Sequence, residues 1–390
     1  MKSSHIGTIW LAAIAIFSMF FGAGNVIFPL QVGLLAGKQI PFALIGLILT
    51  AIGGPLLGLI GATMYQGNCL KFFCRPGRAI GLIFIAISLF LLGPFAVIPR
   101  CFVVAYASFS AMFEQGPLFF FSLIFGLAAL FCCIKQNWVL PILGKFFSPI
   151  LLLSLICIIA FGIATGSSLE KVSLSSGAAF TMGLHIGFDT MDLIAAIFFS
   201  SSIWMMLFIR MKQSSEREIV KTAMRAGIIG GVLLGLIYIG LALATAYHAT
   251  EIGNCPPEKL MARLALLTLG SFWGNMANIA IAIACFTTVV SLTQTIGSLC
   301  HREFFPRTLS YRQFLITIIA ISILFSNLGF SMICNLIHPV ITICYPAIII
   351  LTFFNLIHKK YGFIMIRRPV YGTLLSSLIY KSILWIGRGV

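Results

Sequence analysis

Eleven apolar stretches, each of about the length that crosses a bilayer as a helix, leave this chain of 390 residues little choice of fold. They run over residues 6–34, 40–65, 79–109, 117–134, 142–165, 183–209, 224–248, 262–299, 313–330, 332–357 and 370–387, parted by polar or Pro/Gly punctuation. Numbered in chain order, they are segments 1 to 11. Hydrocarbon offers the backbone no hydrogen-bond partners, so each segment must satisfy its own amides as a helix. The expected fold is an all-α polytopic membrane protein, one transmembrane domain over 1–390. Only 9% of residues are charged, against about 25% in a soluble domain.

The net charge of +16 is spread through short loops, which argues against a nucleic-acid surface. With the N-terminus inside, eighteen lysines and arginines fall in inner connections and four in outer ones (Lys38, Lys171, Lys259 and Arg263). The positive-inside rule therefore predicts a cytoplasmic N-terminus. Lys2, the apolar run after it and the small residues Gly22-Ala23-Gly24 also resemble a secretory signal. The run continues to Leu35, however, so the segment is expected to remain in the protein. Eleven cysteines are scattered without CxxC spacing and read as reduced, packed thiols rather than disulfides or a zinc site.

Two segments are interrupted at mid-membrane. In segment 1, FSMFFGAGNVIFP places Gly22, Ala23, Gly24 and Asn25 where bulky apolar residues are expected, and Pro29 removes a donor soon after. Backbone freed at that depth must face protein, water or a ligand. Glycines alone would read as close helix packing; with Asn25 and Pro29 they predict a broken helix whose second half offers its N-terminus to an anion such as a substrate carboxylate. Segment 6, GLHIGFDTMDLIAAIFF, is interrupted in the same way around Gly183 and Gly187. Segments 1 and 6 lie five apart, and five is odd, so a second repeat would enter the membrane from the opposite side. Repeats of about 6–165 and 183–357, with an extra C-terminal helix at about 370–387, predict a 5+5 inverted-repeat secondary transporter with a midplane site.

Charge at that depth is costly and marks function. Seven of nine acidic residues fall in loops, leaving Asp189 and Asp192 in segment 6, with Arg100 the clear intramembrane base among the first ten segments. Gly187, Phe188, Asp189, Thr190 and Met191 are candidate substrate-binding residues, with Gly187 to Thr190 the receptor for a substrate ammonium, through carbonyls or through Asp189. Asp189 could instead carry a coupling proton or form a structural charge pair with Arg100, and Asp192 could cap the second half-helix. Phe188, Met191 and Ile27 are candidates for an apolar side-chain pocket or for core. His185 and Asp189 have a metal-compatible spacing but no evident third ligand. In segment 8, Ala284, Thr287 and Thr288 share one helix face. Their carbonyl and hydroxyl oxygens suit a hard cation such as sodium, or the hydroxyls bond back to the preceding turn. Tyr345-Pro346 in segment 10 is a weak gate signal.

At FFGAGNVIFP (20–29), GPFAVIPR (93–100), GFDTMD (187–192), ACFTTVVSLTQTIG (284–297), SNLGFSMI (326–333) and HPVITICYPAI (338–348), the chain resembles the branched-chain amino acid:cation symporters of the amino acid–polyamine–organocation superfamily. The resemblance implies a leucine-transporter-like fold with broken helices 1 and 6, and uptake of leucine, isoleucine and valine with sodium or another cation across a bacterial inner membrane. It adds carbonyls of Ser18 and Phe21 to the sodium set of Ala284, Thr287 and Thr288. It implies no cofactor beyond the coupling ion. Two departures stand out. The family has twelve helices where eleven are counted here, so a C-terminal helix is expected to be missing. Phe188-Asp189 stands where an aromatic–aliphatic pair is usual, which adds a charge beside the site. An intramembrane enzyme would need a nucleophile–base pair or metal motif, and neither HExxH nor GxSxG occurs. A passive channel would not need paired broken helices.

Overall fold

The computed structural model describes residues 2–386 apart from 114–115, 135–138, 168, 170–173, 213, 305–309 and 363–364. Glu114, Lys135, Glu170, Lys171 and Arg307, which enter the loop charge balance, lie outside the described residues. Segment 1 is two helices, α1 (Lys2–Phe20) and α2 (Ala23–Ala36). Segment 2 is α3 (Ile40–Ile48) and α4 (Gly54–Met64), joined by a π turn at Leu49–Gly53. A short α5 (Cys69–Phe73) precedes segment 3, which is α6 (Arg78–Leu92) and α7 (Val97–Ser110). Segments 4 and 5 are α8 (Leu118–Ile134) and α9 (Val139–Ala164). Segment 6 is α10 (Ser176–Asp189) and α11 (Asp192–Arg210), and segment 7 is α12 (Glu216–Tyr247). After α13 (Ala249–Ile252), segment 8 is α14 (Leu260–Leu299). Segments 9, 10 and 11 are α15 (Tyr311–Ser326), α16 (Phe330–Tyr361) and α17 (Arg367–Ile386).

Local chemistry sets many of these ends. Ser215 and Ser310 accept from the amides of Glu218 and Gln313, whose side chains reach back to the serine amides, so α12 and α15 open on reciprocal caps. Gly362, in the left-handed region, closes α16. Three expectations need correction. Segment 3 is not continuous, because the turn at 93–96 parts α6 from α7. Segment 6 begins at Ser176, seven residues before its first glycine pair member, since Ser175 caps the amide of Ala178. Segment 8 bends at Gly270, whose φ of 74° only glycine adopts without strain.

Six helical stretches among the described residues are long and apolar enough by themselves to cross a membrane. Large apolar side chains such as Trp10, Ile124, Leu236 and Trp273 point outward, as a lipid-facing surface requires, while the interior is a single apolar cluster. The packing follows the two-repeat arrangement. Both halves of segment 1 lie on segment 7, and both halves of segment 6 lie on segment 2. Segment 3 packs on segment 8, and segment 4 on segment 9. Exchanging each segment with the one five places away maps these pairings onto themselves. The result is a 5+5 inverted-repeat helical fold.

Glycines bring the segments together. A Cβ on Gly183 would sit 1.9 Å from the Ala43 carbonyl oxygen, and one on Gly46 would sit 2.2 Å from that of Phe180. The backbones of α3 and α10 therefore touch, the small-residue packing expected where no hydrophobic effect drives helix association.

Candidate functional site

Both breaks open onto one buried cavity. In the first, the Phe21 amide ends α1 on the Phe17 carbonyl at 2.9 Å, and Gly22 passes in extended conformation to α2. The Asn25 side chain turns back and accepts from the Gly22 amide at 3.0 Å. In the second, α10 ends at Asp189, and Met191 is left-handed at φ 59°, an uncommon conformation for a non-glycine residue. Thr190 donates to the Gly187 carbonyl at 2.9 Å and accepts from the Asp192 amide at 3.4 Å. The Leu193 amide, in the first turn of α11, donates to the Tyr345 hydroxyl at 3.2 Å.

One hydrogen-bonded cluster joins the breaks. The Asn25 amide nitrogen donates to Asp192 Oδ2 at 2.7 Å, and the Tyr238 hydroxyl donates to the same oxygen at 3.1 Å. Asn25 also touches Tyr238 directly. Segments 1, 6 and 7 thus meet on one carboxylate that is 4% exposed. Asp192 does sit at the start of α11, as a capping role would require, but its carboxylate is held by Asn25 of the first repeat and Tyr238 of the second.

The cavity is lined by Gly22, Ala23, Gly24 and Asn25 from the first break and by Thr190 and Asp192 from the second. Leu92, Val97 and Arg100 flank the unexpected third break, in segment 3, and Thr288 and Leu292 come from segment 8. Met19, Phe20, Ala195 and Phe199 complete an apolar side. Its volume of about 30 Å³ holds roughly one or two waters. A second cavity, of about 500 Å³, lies further along segments 6 and 8 between Asn68, Ser201, Thr295 and Arg302. One face of α14 runs from Thr288 and Leu292 in the first cavity to Thr295 and Ser298 in the second.

The other sequence candidates lie elsewhere. Gly187 packs against segment 2, where a Cβ would sit 1.9 Å from Thr50 Oγ1. Phe188 packs on Tyr345 with ring centroids 5.1 Å apart and planes tilted by 43°, and Met191 and Ile27 are fully buried in the core. None of the four lines the cavity. The charge pair of Arg100 with Asp189 takes a different form. The guanidinium donates to the Asp189 backbone carbonyl at 3.0 Å, while the carboxylate lies 3.6 Å from His338 Nδ1 in segment 10. Within the expected sodium set, Thr288 lies against Gly22, but Ser18, Phe21, Ala284 and Thr287 do not line the cavity. Both threonine hydroxyls donate to the Ala284 carbonyl at 2.9 Å, the back-bonded arrangement common in membrane helices. No group of three His, Cys, Asp or Glu side chains among the described residues is placed to hold a metal.

The family profile described as "Branched-chain amino acid transport protein" matches residues 6–385, nearly the whole chain. The chain belongs to that family. It is a membrane transport protein. Two relatives, both named "Putative branched-chain amino acid carrier protein", come from staphylococci. That of Staphylococcus saprophyticus is 29% identical over 361 residues, covering 87% of this chain and 79% of the relative. That of Staphylococcus epidermidis is 28% identical over 399 residues, covering 96% and 87%. Among solved structures, MhsT in complex with L-phenylalanine superposes with a TM-score of 0.63 at 16% identity, covering 95% of this chain and 97% of that one. Mhp1, a nucleobase-cation-symport-1 family transporter in a closed conformation with bromovinylhydantoin bound, gives 0.62 at 13% identity, covering 98% and 93%. At such identities the likeness is one of fold.

Proposed function

We propose that this protein imports leucine, isoleucine and valine across a bacterial inner membrane, coupled to sodium, by alternating access. The reading rests above all on the single cavity that both helix breaks line. Family membership supports the substrate class. The half-helix α2 would present its N-terminus to the substrate carboxylate, and the aliphatic side chain would lie against Met19, Phe20, Leu92 and Phe199. A free branched-chain amino acid does not fit a space of about 30 Å³, so binding requires the two repeats, about 6–165 and 183–357, to part. With the N-terminus cytoplasmic, the cavity of about 500 Å³ beside Arg302 becomes the inner vestibule, and release would follow the face of α14 that connects the two.

The test is uptake of radiolabelled leucine into proteoliposomes with and without an imposed sodium gradient. Sodium-dependent accumulation inhibited by isoleucine and valine is the expected result; no saturable uptake under any gradient would overturn the reading. Sodium would take its oxygens from segment 8 and from the carbonyls that end α1. Thr288→Ala is therefore expected to remove the sodium stimulation, at least about tenfold at low sodium. Unchanged stimulation would exclude that site.

A proton-coupled carrier of a small neutral amino acid is the second reading. It draws on the back-bonded threonines and on the carboxylate of Asp192 buried among Asn25 and Tyr238. Accumulation driven by a pH gradient alone would select it.

A further inference from the structure

Two side chains of opposite charge line the central cavity without forming an ion pair. Arg100 is 2% exposed and Asp192 is 4% exposed, yet the ion pairs within 4.0 Å among the described residues are His248–Glu251, Arg302–Glu303 and His338–Asp189. A buried charge is costly unless paired or fully hydrogen-bonded. Arg100 has one backbone carbonyl, a distant Cys334 sulfur and the ring faces of Phe28 and Phe330 at 5.4 and 6.0 Å. Its Nε has no hydrogen-bond partner. Asp192 receives Asn25 and Tyr238 on one oxygen and sits in the first turn of α11, which favours an anion.

We propose that Arg100 and Asp192 are the charged receptors for the two ends of a zwitterionic α-amino acid, the guanidinium taking the carboxylate and the Asp192 carboxylate taking the ammonium. This rests on the amino-acid reading above and adds side chains to it. Of the backbone carbonyls expected to hold the ammonium, those of Gly187, Phe188 and Asp189 are engaged, by Thr190, Met191 and Arg100. Asp192 is the acidic group that remains on the cavity wall. On the other side, a planar guanidinium matches a carboxylate in geometry and stays charged at any physiological pH. A structural pair would have closed Arg100 directly onto a carboxylate; instead the two charges stand apart on opposite repeats, where a molecule carrying both complements can bridge them. The site therefore selects against an amine without a carboxylate and an oxo acid without an ammonium.

The experiment uses the full chain in proteoliposomes and competes radiolabelled leucine uptake with three molecules of one carbon skeleton: leucine, 3-methylbutylamine and 4-methyl-2-oxopentanoate. Wild-type protein is expected to bind both truncated compounds at least roughly tenfold more weakly than leucine. Asp192→Asn is expected to lose the preference for leucine over the oxo acid, and Arg100→Gln the preference for leucine over the amine, each by roughly tenfold to a hundredfold. Arg100→Lys, which keeps the charge, should recover part of the loss. Variants that no longer transport are read by the rise in unfolding temperature on adding each compound. Should a variant fail to fold, the wild-type competition decides alone: an amine or oxo acid that competes as well as leucine overturns the assignment. Leucine uptake by the wild type with unaltered selectivity in both variants overturns the charge assignment while leaving the transport reading intact. Absence of saturable leucine uptake by the wild type overturns both.

Discussion

The breaks in segments 1 and 6 do the same thing by different means. The first is made by composition: two glycines, a small residue and an amide let the chain leave the helix, and one local bond from the Gly22 amide to Asn25 finishes the turn. All four residues reach the cavity. The second contains no glycine at its turning point. Met191 holds a left-handed conformation, costing of the order of 1 kcal/mol or more, because its surroundings over-determine it: Thr190 closes on Gly187, Tyr345 takes the Leu193 amide, and Asn25 and Tyr238 hold Asp192. The first break is a property of its own sequence, and the second is imposed by the other segments.

The largest effect is expected where the two breaks are tied together. Asn25→Ala removes the partner of the Gly22 amide and one donor to Asp192, leaving two buried groups short of a bond, at about 2–4 kcal/mol in all. Uptake should fall by roughly a hundredfold or more, with a lower unfolding temperature; near-normal uptake would mean that the breaks act independently. Next comes one substitution made at both. Gly187→Ala places a methyl 1.9 Å from Thr50 and should destabilise the fold by about 1–3 kcal/mol. At Gly24 the first atoms met are the Phe28 ring at 3.3 Å, which can shift, so Gly24→Ala should lower leucine affinity more than stability. Thermal unfolding and uptake measured side by side separate the two cases, and equal effects would erase the distinction. The smallest is Tyr345→Phe, which deletes the acceptor of one amide and should lower stability by about 1 kcal/mol. Its effect should be confined to the second break, with sodium dependence unchanged.

The same contrast explains how much the sequence revealed. Membrane class, segment order and the first break are written in composition and in Gly, Asn and Pro at mid-segment. The glycines of segment 6 pointed to the right helix for a different reason, since Gly183 and Gly187 pack on Ala43 and Thr50 while the turn falls at Met191. No local preference marks a methionine for that conformation; its cause lies in Tyr345, Tyr238 and Asn25, far away in the chain. Asp192 read as a local cap for the same reason, its partners being 167 and 46 residues distant. The break in segment 3 was legible in GPFAVIP, whose glycine and two prolines punctuate an apolar run, but hydrophobicity alone made 79–109 look continuous.

The π turn at Leu49–Gly53 has a mechanical side. Each residue advances an α-helix by about 100°, and a π turn inserts one residue more than the α repeat allows, often at functional positions. Before it, Gly46 faces α10, and Thr50 within it meets Gly187; after it, Gly58 lies against Leu193 and Ile197 of α11. The break in segment 6 separates those two half-helices, and the π turn falls between the stretches of segment 2 that pack on each. Segment 2 is thus geared to both halves of its neighbour, so a tilt of α10 or α11 arrives at this one turn as torsion.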